Sequence, residues 1–174
     1  MSTSLASLGI DQEMAVVEVD FDAKVSELLQ LGKGAMPFAF VHQNINGRVS
    51  VPVKGRRRVK MQLLMIDGKD KDTDFETGLK IFGARGMMPC IHELVAFSDA
   101  FKEVTKQFRI AALDARYWID LTKGRGPRRT TVGTEPAFPF IYANCGGARR
   151  CLDLRSTRRQ LNADWAYLVI IERV

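Results

Sequence analysis

The last apolar segment of the chain, residues 165–172, has apolar side chains on both faces of the strand that it predicts. Trp165 and Tyr167 fall on one face, and Leu168 and Ile170 on the other, because successive side chains of a strand point to opposite sides. A strand that is apolar on both faces is typical of a sheet that is covered on both sides. We therefore expect further layers to pack on both faces of the sheet.

The remaining apolar segments predict more strand than helix. Period-two or continuous apolar runs predict further strands at 14–21, 37–41, 48–53, 59–66, 115–122, 137–143 and 148–154. Helical spacing predicts helices after Asp22, over 75–82 and over 89–108. Residues 107–113 fit either the end of that last helix or one more strand. Because strands and helices do not alternate regularly, we predict an α+β fold, with a mostly antiparallel sheet and two or three packed helices.

Local signals refine this outline. Asn46-Gly47 is typical of a tight turn, so 37–41 and 48–53 are predicted to form a hairpin. Thr73 and Glu76 have capping-box spacing at the start of a helix. Small and polar residues predict a mobile N-terminal arm over 1–12, followed by a single globular domain over 13–174.

Composition excludes several classes of protein. With 46% hydrophobic and 26% charged residues among 174, the chain resembles an ordinary globular protein. No apolar run approaches the ~20 residues that a transmembrane helix needs. The first residues lack the basic and apolar regions of a secretory signal, and three cysteines are an odd number. We therefore expect an intracellular protein with reduced thiols, neither secreted nor inserted in a membrane.

The positive charge is concentrated in one part of the chain. The formal net charge is +6, yet residues 116–159 alone hold ten Lys or Arg against three Asp or Glu, a local net charge of +7. Most of these cations are arginines, whose planar guanidinium suits phosphate and carboxylate. This pattern predicts an anionic partner, such as nucleic acid, an acidic membrane surface or an acidic protein.

The segment Lys123–Gly133 is the centre of this basic region. It holds four positive charges, no negative charge, and the glycines and proline of a surface loop. Together with three further clusters it forms the predicted anion-binding set, for phosphate or lipid headgroups. The set is Arg56, Arg57, Arg58, Lys60, Lys123, Arg125, Arg128, Arg129, Arg149, Arg150, Arg155, Arg158 and Arg159.

Two alternatives bear on this interpretation. These cations are also compatible with solvated turns that only keep the protein soluble. Aromatic residues are not interleaved with the arginines in the sequence. Contact with a phosphate backbone or with lipid headgroups is therefore favoured over the stacking of bases on exposed aromatic side chains.

Motifs for catalysis and for cofactors are weak. The acidic run from Asp67 to Glu76 lacks the glycine and the final carboxylate of a calcium-binding EF-hand loop. Cys90, His92, Cys145 and Cys151 do not have the spacing of the usual zinc sites, so buried apolar thiols are favoured. No nucleophile elbow, phosphate-binding loop or dinucleotide fingerprint occurs. We therefore predict no enzyme and no cofactor, with a reactive Cys145 or Cys151 thiol as the alternative.

The pattern over residues 36–174 resembles the matrix proteins of negative-strand RNA viruses, in particular the short matrix proteins of plant rhabdoviruses. The shared features are a compact basic protein of this size, a mobile N-terminal arm and a β-rich core. Within that core, Val59–Ile66, Phe75–Phe82 and Ile91–Val104 are similar to the strand–helix–strand start of the family. The Pro-Pro-x-Tyr and Pro-Thr-Ala-Pro budding peptides of some animal-virus members do not occur here.

This resemblance implies a structural protein in the host cytoplasm or nucleus and in the virion. It also implies self-association into a homo-oligomer, contact with a ribonucleoprotein and attachment to acidic lipid headgroups, without catalysis. The leading hypothesis from sequence is thus a basic structural protein that bridges a ribonucleoprotein and an acidic membrane. The alternative is an accessory protein that binds the RNA backbone, such as a silencing suppressor or an RNA chaperone.

Overall fold

A mixed sheet of eight strands organises the part of the chain that the structure describes. The computed structural model describes residues 15–31, 36–45, 51, 53–66, 73–123 and 126–174. The predicted arm over 1–12 lies outside these residues. The strands are β1 Ala15–Asp20, β2 Phe38–Val41, β3 Arg56–Met65, β4 Ile110–Ala111, β5 Tyr117–Lys123, β6 Thr130–Asn144, β7 Arg149–Ser156 and β8 Ala166–Arg173. The helices are α1 Val25–Leu31, α2 Phe75–Gly83, α3 Ile91–Ala100 and α4 Lys102–Gln107.

The strand order is β1-β3-β8-β4-β6-β7-β2, and β5 pairs with β6 beside this path. Two of the pairings are parallel, β2 with β7 and β4 with β8, and the other pairings between described strands are antiparallel. The α+β prediction is therefore confirmed at that level. The sheet is mixed rather than purely antiparallel, and the described residues form four helices instead of two or three.

Strand β8 is buried on both faces, as its sequence predicts. Leu168 and Ile170 belong to a first core, which lies between the sheet and helices α1, α3 and α4. Tyr167 and Val169 belong to a second core, which lies between the sheet and α2. The central position of β8, between β3 and β4, follows from this two-sided apolar surface.

Two local predictions need correction, and a third, the hairpin, falls mostly outside the described residues. The cap of α2 is Asp74, whose carboxylate accepts a hydrogen bond from the Thr77 backbone N–H at 2.7 Å, and not Thr73. The helix predicted over 89–108 is divided at Phe101, whose φ of −122° and ψ of 61° are not helical. Strand β2 pairs with β7 in parallel, and most of its predicted hairpin partner, 48–53, lies outside the described residues.

A buried ion pair attaches the C-terminal strand to α3. The fully buried carboxylate of Glu93 accepts hydrogen bonds from Arg173 Nε at 2.6 Å and from Arg173 Nη2 at 3.0 Å. It also accepts the Cys90 backbone N–H at 2.8 Å, at the start of α3. The hydrogen bonds to Glu93 raise the pKa of Arg173. This network fixes the end of β8 against the first core.

Gly86 allows the chain to approach the backbone of β8. Met87 and Ile170 exchange backbone hydrogen bonds of 2.7 and 2.8 Å. They pair the edge of β8 that continues past its short neighbour β4. A Cβ atom on Gly86 would lie 2.5 Å from the Ile170 carbonyl oxygen. Any side chain at this position would therefore push the segment away from the strand.

We expect Gly86→Ala to destabilise the fold by about 1–3 kcal/mol, because a backbone contact has to move. Gly83→Ala is the matched control, since a Cβ there meets nothing within 4 Å. It should be neutral or stabilising by up to about 1 kcal/mol, as expected at the end of a helix. Urea unfolding followed by circular dichroism would measure both variants, and equal losses would contradict this account.

Candidate functional site

The predicted basic loop is mainly the end of a long β-hairpin. Strand β5 pairs with β6 from Tyr117 opposite Ala137 to Lys123 opposite Thr130. The loop prediction for Lys123–Gly133 is therefore wrong for its second half, which is strand. Since β7 ends at Ser156, opposite Ala137, the hairpin extends past the end of β7. At about 3.3 Å per residue this extension is roughly 20 Å long.

Three of the four basic clusters lie at the same end of the sheet. Following the pairings from strand to strand places the start of β3, the tip of the β5–β6 hairpin and the end of β7 together at this end. The fourth cluster, Arg149-Arg150, starts β7 and lies at the opposite end. We call the first of these regions the basic end of the sheet; its described cations lie in Arg56–Lys60, at Lys123, Arg128 and Arg129, and in Arg155–Arg159.

The cluster on β3 is largely neutralised by its neighbours. Arg56 Nε lies 3.1 Å from the Asp20 carboxylate on β1, and Lys60 pairs with Glu172 on β8. Arg58 stands directly opposite Glu18 in the β1–β3 register. The ion pairs satisfy Arg56 and Lys60 within the sheet, so these two offer little surplus charge to an external anion, whereas Arg57 is exposed and forms no ion pair among the described residues.

The cations of the hairpin are in a different situation. Lys123, Arg128 and Arg129 are exposed and form no ion pair within the described part of the chain. Arg129 Nε donates a hydrogen bond of 2.7 Å to Thr122 Oγ1, which holds it against the opposite strand. Arg125 lies outside the described residues. The tip of the hairpin therefore presents positive charge that no ion pair among the described residues compensates.

The three arginines at the end of β7 and just after it have three different roles. Arg155 stacks on the Trp165 ring, with its guanidinium carbon 4.9 Å from the ring centroid. Burial lowers the pKa of Arg155, and the like charges of Arg159 and Arg109 lower it further. Arg158 lies 3.5 Å from the Glu135 carboxylate. Arg159 is exposed and remains available at the basic end.

The prediction that Arg150 belongs to the anion-binding set is wrong. Its side chain is fully buried, and Nη1 lies 2.5 Å from the Asp99 carboxylate on α3. Nε donates to the Met36 carbonyl at 2.8 Å, and Nη1 donates to Ser98 Oγ at 2.9 Å. The guanidinium also lies 4.2 Å above the Phe38 ring. It is therefore part of the core and cannot meet an external anion.

The structure adds a residue that the sequence clusters miss. Arg109, just before β4, is isolated in the sequence, but its guanidinium carbon lies 5.4 Å from the Tyr142 ring centroid and 5.6 Å from that of Trp165. Arginines and aromatic rings are thus interleaved on the sheet, contrary to the impression from the sequence. Only the pairing of β4 with β6 and β8 brings them together, so no local sequence signal could show it.

Cysteines and acids form no recognisable chemical site among the described residues. Cys90 and Cys151 are free and buried, and burial followed by the Glu93 charge raises the pKa of Cys90 to about 12. A protonated, buried thiol is a poor nucleophile. No group of three or more His, Cys, Asp or Glu in the described ranges could hold a metal ion. Most of the acidic run from Asp67 onward lies outside those ranges.

Comparison with known proteins gives no relative: no family model, no curated protein and no solved structure matches this chain. Among the described residues, no helix combines the length and the apolar character needed to cross a membrane.

The two neighbouring arginines on β7 provide a matched test of this geometry. Arg150→Ala should destabilise the fold by about 3 kcal/mol, because it removes a fully buried guanidinium together with its ion pair, its hydrogen bonds and its packing. Arg149→Ala, at an exposed position, should change the free energy of unfolding by less than about 0.5 kcal/mol. Urea unfolding of both variants measures the difference, and similar values would show that Arg150 is not part of the core.

Proposed function

We propose that this protein is a non-enzymatic nucleic-acid-binding protein that contacts the phosphate backbone through its β5–β6 hairpin. The observation that carries this proposal is the charge at the hairpin tip, where Lys123, Arg128 and Arg129 are exposed and form no ion pair among the described residues. Of the other described cations of the predicted set, Arg56, Lys60 and Arg158 are ion-paired, Arg155 is stacked and Arg150 is buried, whereas Arg57, Arg58, Arg149 and Arg159 are exposed. The proposal thus assigns binding to cations that form no ion pair within the fold.

The shape of the hairpin supports the same partner. A projecting two-stranded ribbon can enter a groove of a duplex or follow a backbone. Arg159 and Arg57, exposed at the same end of the sheet, extend the positive surface beyond the ribbon. Contacts of this type release counterions, so the affinity should fall steeply with salt and depend weakly on sequence. A ribonucleoprotein or its RNA is the partner that the proposal favours.

The triple variant Lys123→Gln, Arg128→Gln and Arg129→Gln tests the proposal. We expect its affinity for a short RNA duplex to fall about tenfold or more at low salt. The slope of the logarithm of affinity against the logarithm of salt concentration should decrease by about 2 to 3, since each lost phosphate contact removes nearly one unit. Fluorescence anisotropy with a labelled duplex measures both quantities.

A matched control removes the same charge from ion pairs. Arg56→Gln, Lys60→Gln and Lys106→Gln also lower the net charge by three, but these residues pair with Asp20, Glu172 and Glu103. Their loss should change the affinity by less than about threefold. If the two triple variants lose affinity equally, binding depends on net charge alone and the hairpin is not the site.

Attachment to an acidic membrane surface is the second candidate, in keeping with a matrix-like role. Trp118 and Val132 on the hairpin are 53% and 62% exposed, close in sequence to its cations. An exposed tryptophan beside basic residues is typical of contact with lipid headgroups. The role includes self-association, which the outer edges of the terminal strands β1 and β2 would permit by strand pairing.

Liposome co-sedimentation tests this second candidate. The protein should sediment with vesicles that contain phosphatidylserine and not with neutral vesicles, because each basic residue near an anionic surface contributes about 1 kcal/mol. Trp118→Ala should weaken this binding while leaving the affinity for duplex RNA unchanged. Indifference to lipid charge, together with a monomeric state at high concentration in analytical ultracentrifugation, would contradict a matrix-like role.

A further inference from the structure

One face of the sheet carries a row of aromatic and arginine side chains near the second core. Phe40 on β2 is aligned with Cys151 on β7, and Cys151 is aligned with Tyr142 on β6. Partners in register point to the same face, so the two rings share it. They stand two strand spacings apart, or about 10 Å. Arg109 continues the row, since its guanidinium lies over the Tyr142 ring.

This row lies at the open margin of the second core. The core ends at Phe140 and Trp165, with Tyr142 partly buried against it. Phe40 belongs to neither core and is 47% exposed, although it is a large aromatic residue on an edge strand. The opposite face of β2 is well anchored, because Phe38 stacks against the buried Arg150. The exposed ring therefore stands on a fixed strand.

The charge of the same face is positive. By the β6–β7 register, Arg149, Cys151, Asp153 and Arg155 alternate onto it. With Arg109, three arginines and one carboxylate, that of Asp153, lie on this face. Burial raises the pKa of Tyr142, and the adjacent Cys151 and Asp153 raise it further, so its hydroxyl is neutral near pH 7. Aromatic planes with cations around them match a chain of bases joined by phosphates.

We infer that this face, which we call the stacking face (Phe40, Tyr142, Arg109 and Arg149), binds single-stranded RNA by stacking two unpaired bases. One base stacks on Phe40. The next stacks on the Arg109 guanidinium, which lies against Tyr142, while the exposed Arg149 meets a phosphate. This inference rests on the proposed nucleic-acid function and adds to it the single-stranded state of the partner. The stacking face and the hairpin are separate surfaces, so each can be tested alone.

The test compares two polyanions that differ in their bases. The probes are a labelled single-stranded oligoadenylate of about 12 nucleotides, within the usual range of site sizes, and inorganic polyphosphate, which has no bases. Phe40→Ala should weaken oligoadenylate binding by about tenfold, because the exposed ring supplies one stacking surface. Polyphosphate binding should change by less than about twofold. Phe40→Trp should retain oligoadenylate binding, since it keeps an aromatic plane.

Further variants complete the comparison. Arg109→Gln should also weaken oligoadenylate binding several-fold, whereas Trp118→Ala, an exposed aromatic residue on the hairpin, should leave it unchanged. The inference is overturned if Phe40→Ala leaves oligoadenylate binding intact, or if it weakens polyphosphate binding as strongly. If the hairpin triple variant keeps full affinity for duplex RNA while Phe40→Ala still weakens oligoadenylate binding, the hairpin proposal fails and the stacking face stands.

Discussion

The buried guanidinium of Arg150 is the interaction on which the arrangement of strands and helices near this edge depends. It pairs with Asp99 on α3 and donates to the Met36 carbonyl just before β2, while its own backbone belongs to β7. A charge in the core is costly unless it is paired and hydrogen-bonded, so these groups must all stay in place together. The Arg150 side chain therefore connects α3, β7 and the start of β2. Strand β2 is an edge strand, and within the described sheet it pairs only with β7.

The contacts of Arg150 also hold β2, which carries the exposed ring of Phe40. An edge strand of four residues that pairs on one side only would be poorly held by its backbone bonds alone. The Phe38 ring against Arg150 fixes one face of this strand, and a register irregularity between Phe38 and Phe40 places Phe40 on the opposite face, where it is exposed. An exposed aromatic ring is useful for recognition when its backbone is rigid, because binding then costs little conformational entropy. On β7, the regular alternation of side chains separates Arg149, exposed, from Arg150, buried.

The sequence predicted those features that depend on local periodicity. The two-sided apolar pattern of Tyr167–Ile170 identified β8 as covered on both faces, and the helical spacing from Phe75 identified α2. It could not distinguish Arg150 from Arg149, because the difference comes from Asp99, a partner far away along the chain. The parallel pairing of β2 with β7 and the position of Arg109 beside Tyr142 are likewise tertiary. Clusters of like charge in a sequence therefore identify candidate anion-binding residues. Which of them are exposed and which are buried or ion-paired depends on the register of the sheet.

Whether an arginine of this protein is ion-paired depends on the positions of the acidic residues around it. On β3 the acids of β1 and β8 stand across from the cations, and in the core Glu93 is paired with Arg173. Such pairs contribute to register and to the positions of helices, and they leave little field outside the protein. The hairpin beyond Ala137 pairs with no further strand of the described sheet, and its own acids, Asp120 and Glu135, form no ion pair with Lys123, Arg128 or Arg129. These cations are therefore not used in ion pairs within the described residues, which is why we propose an external anion as their partner.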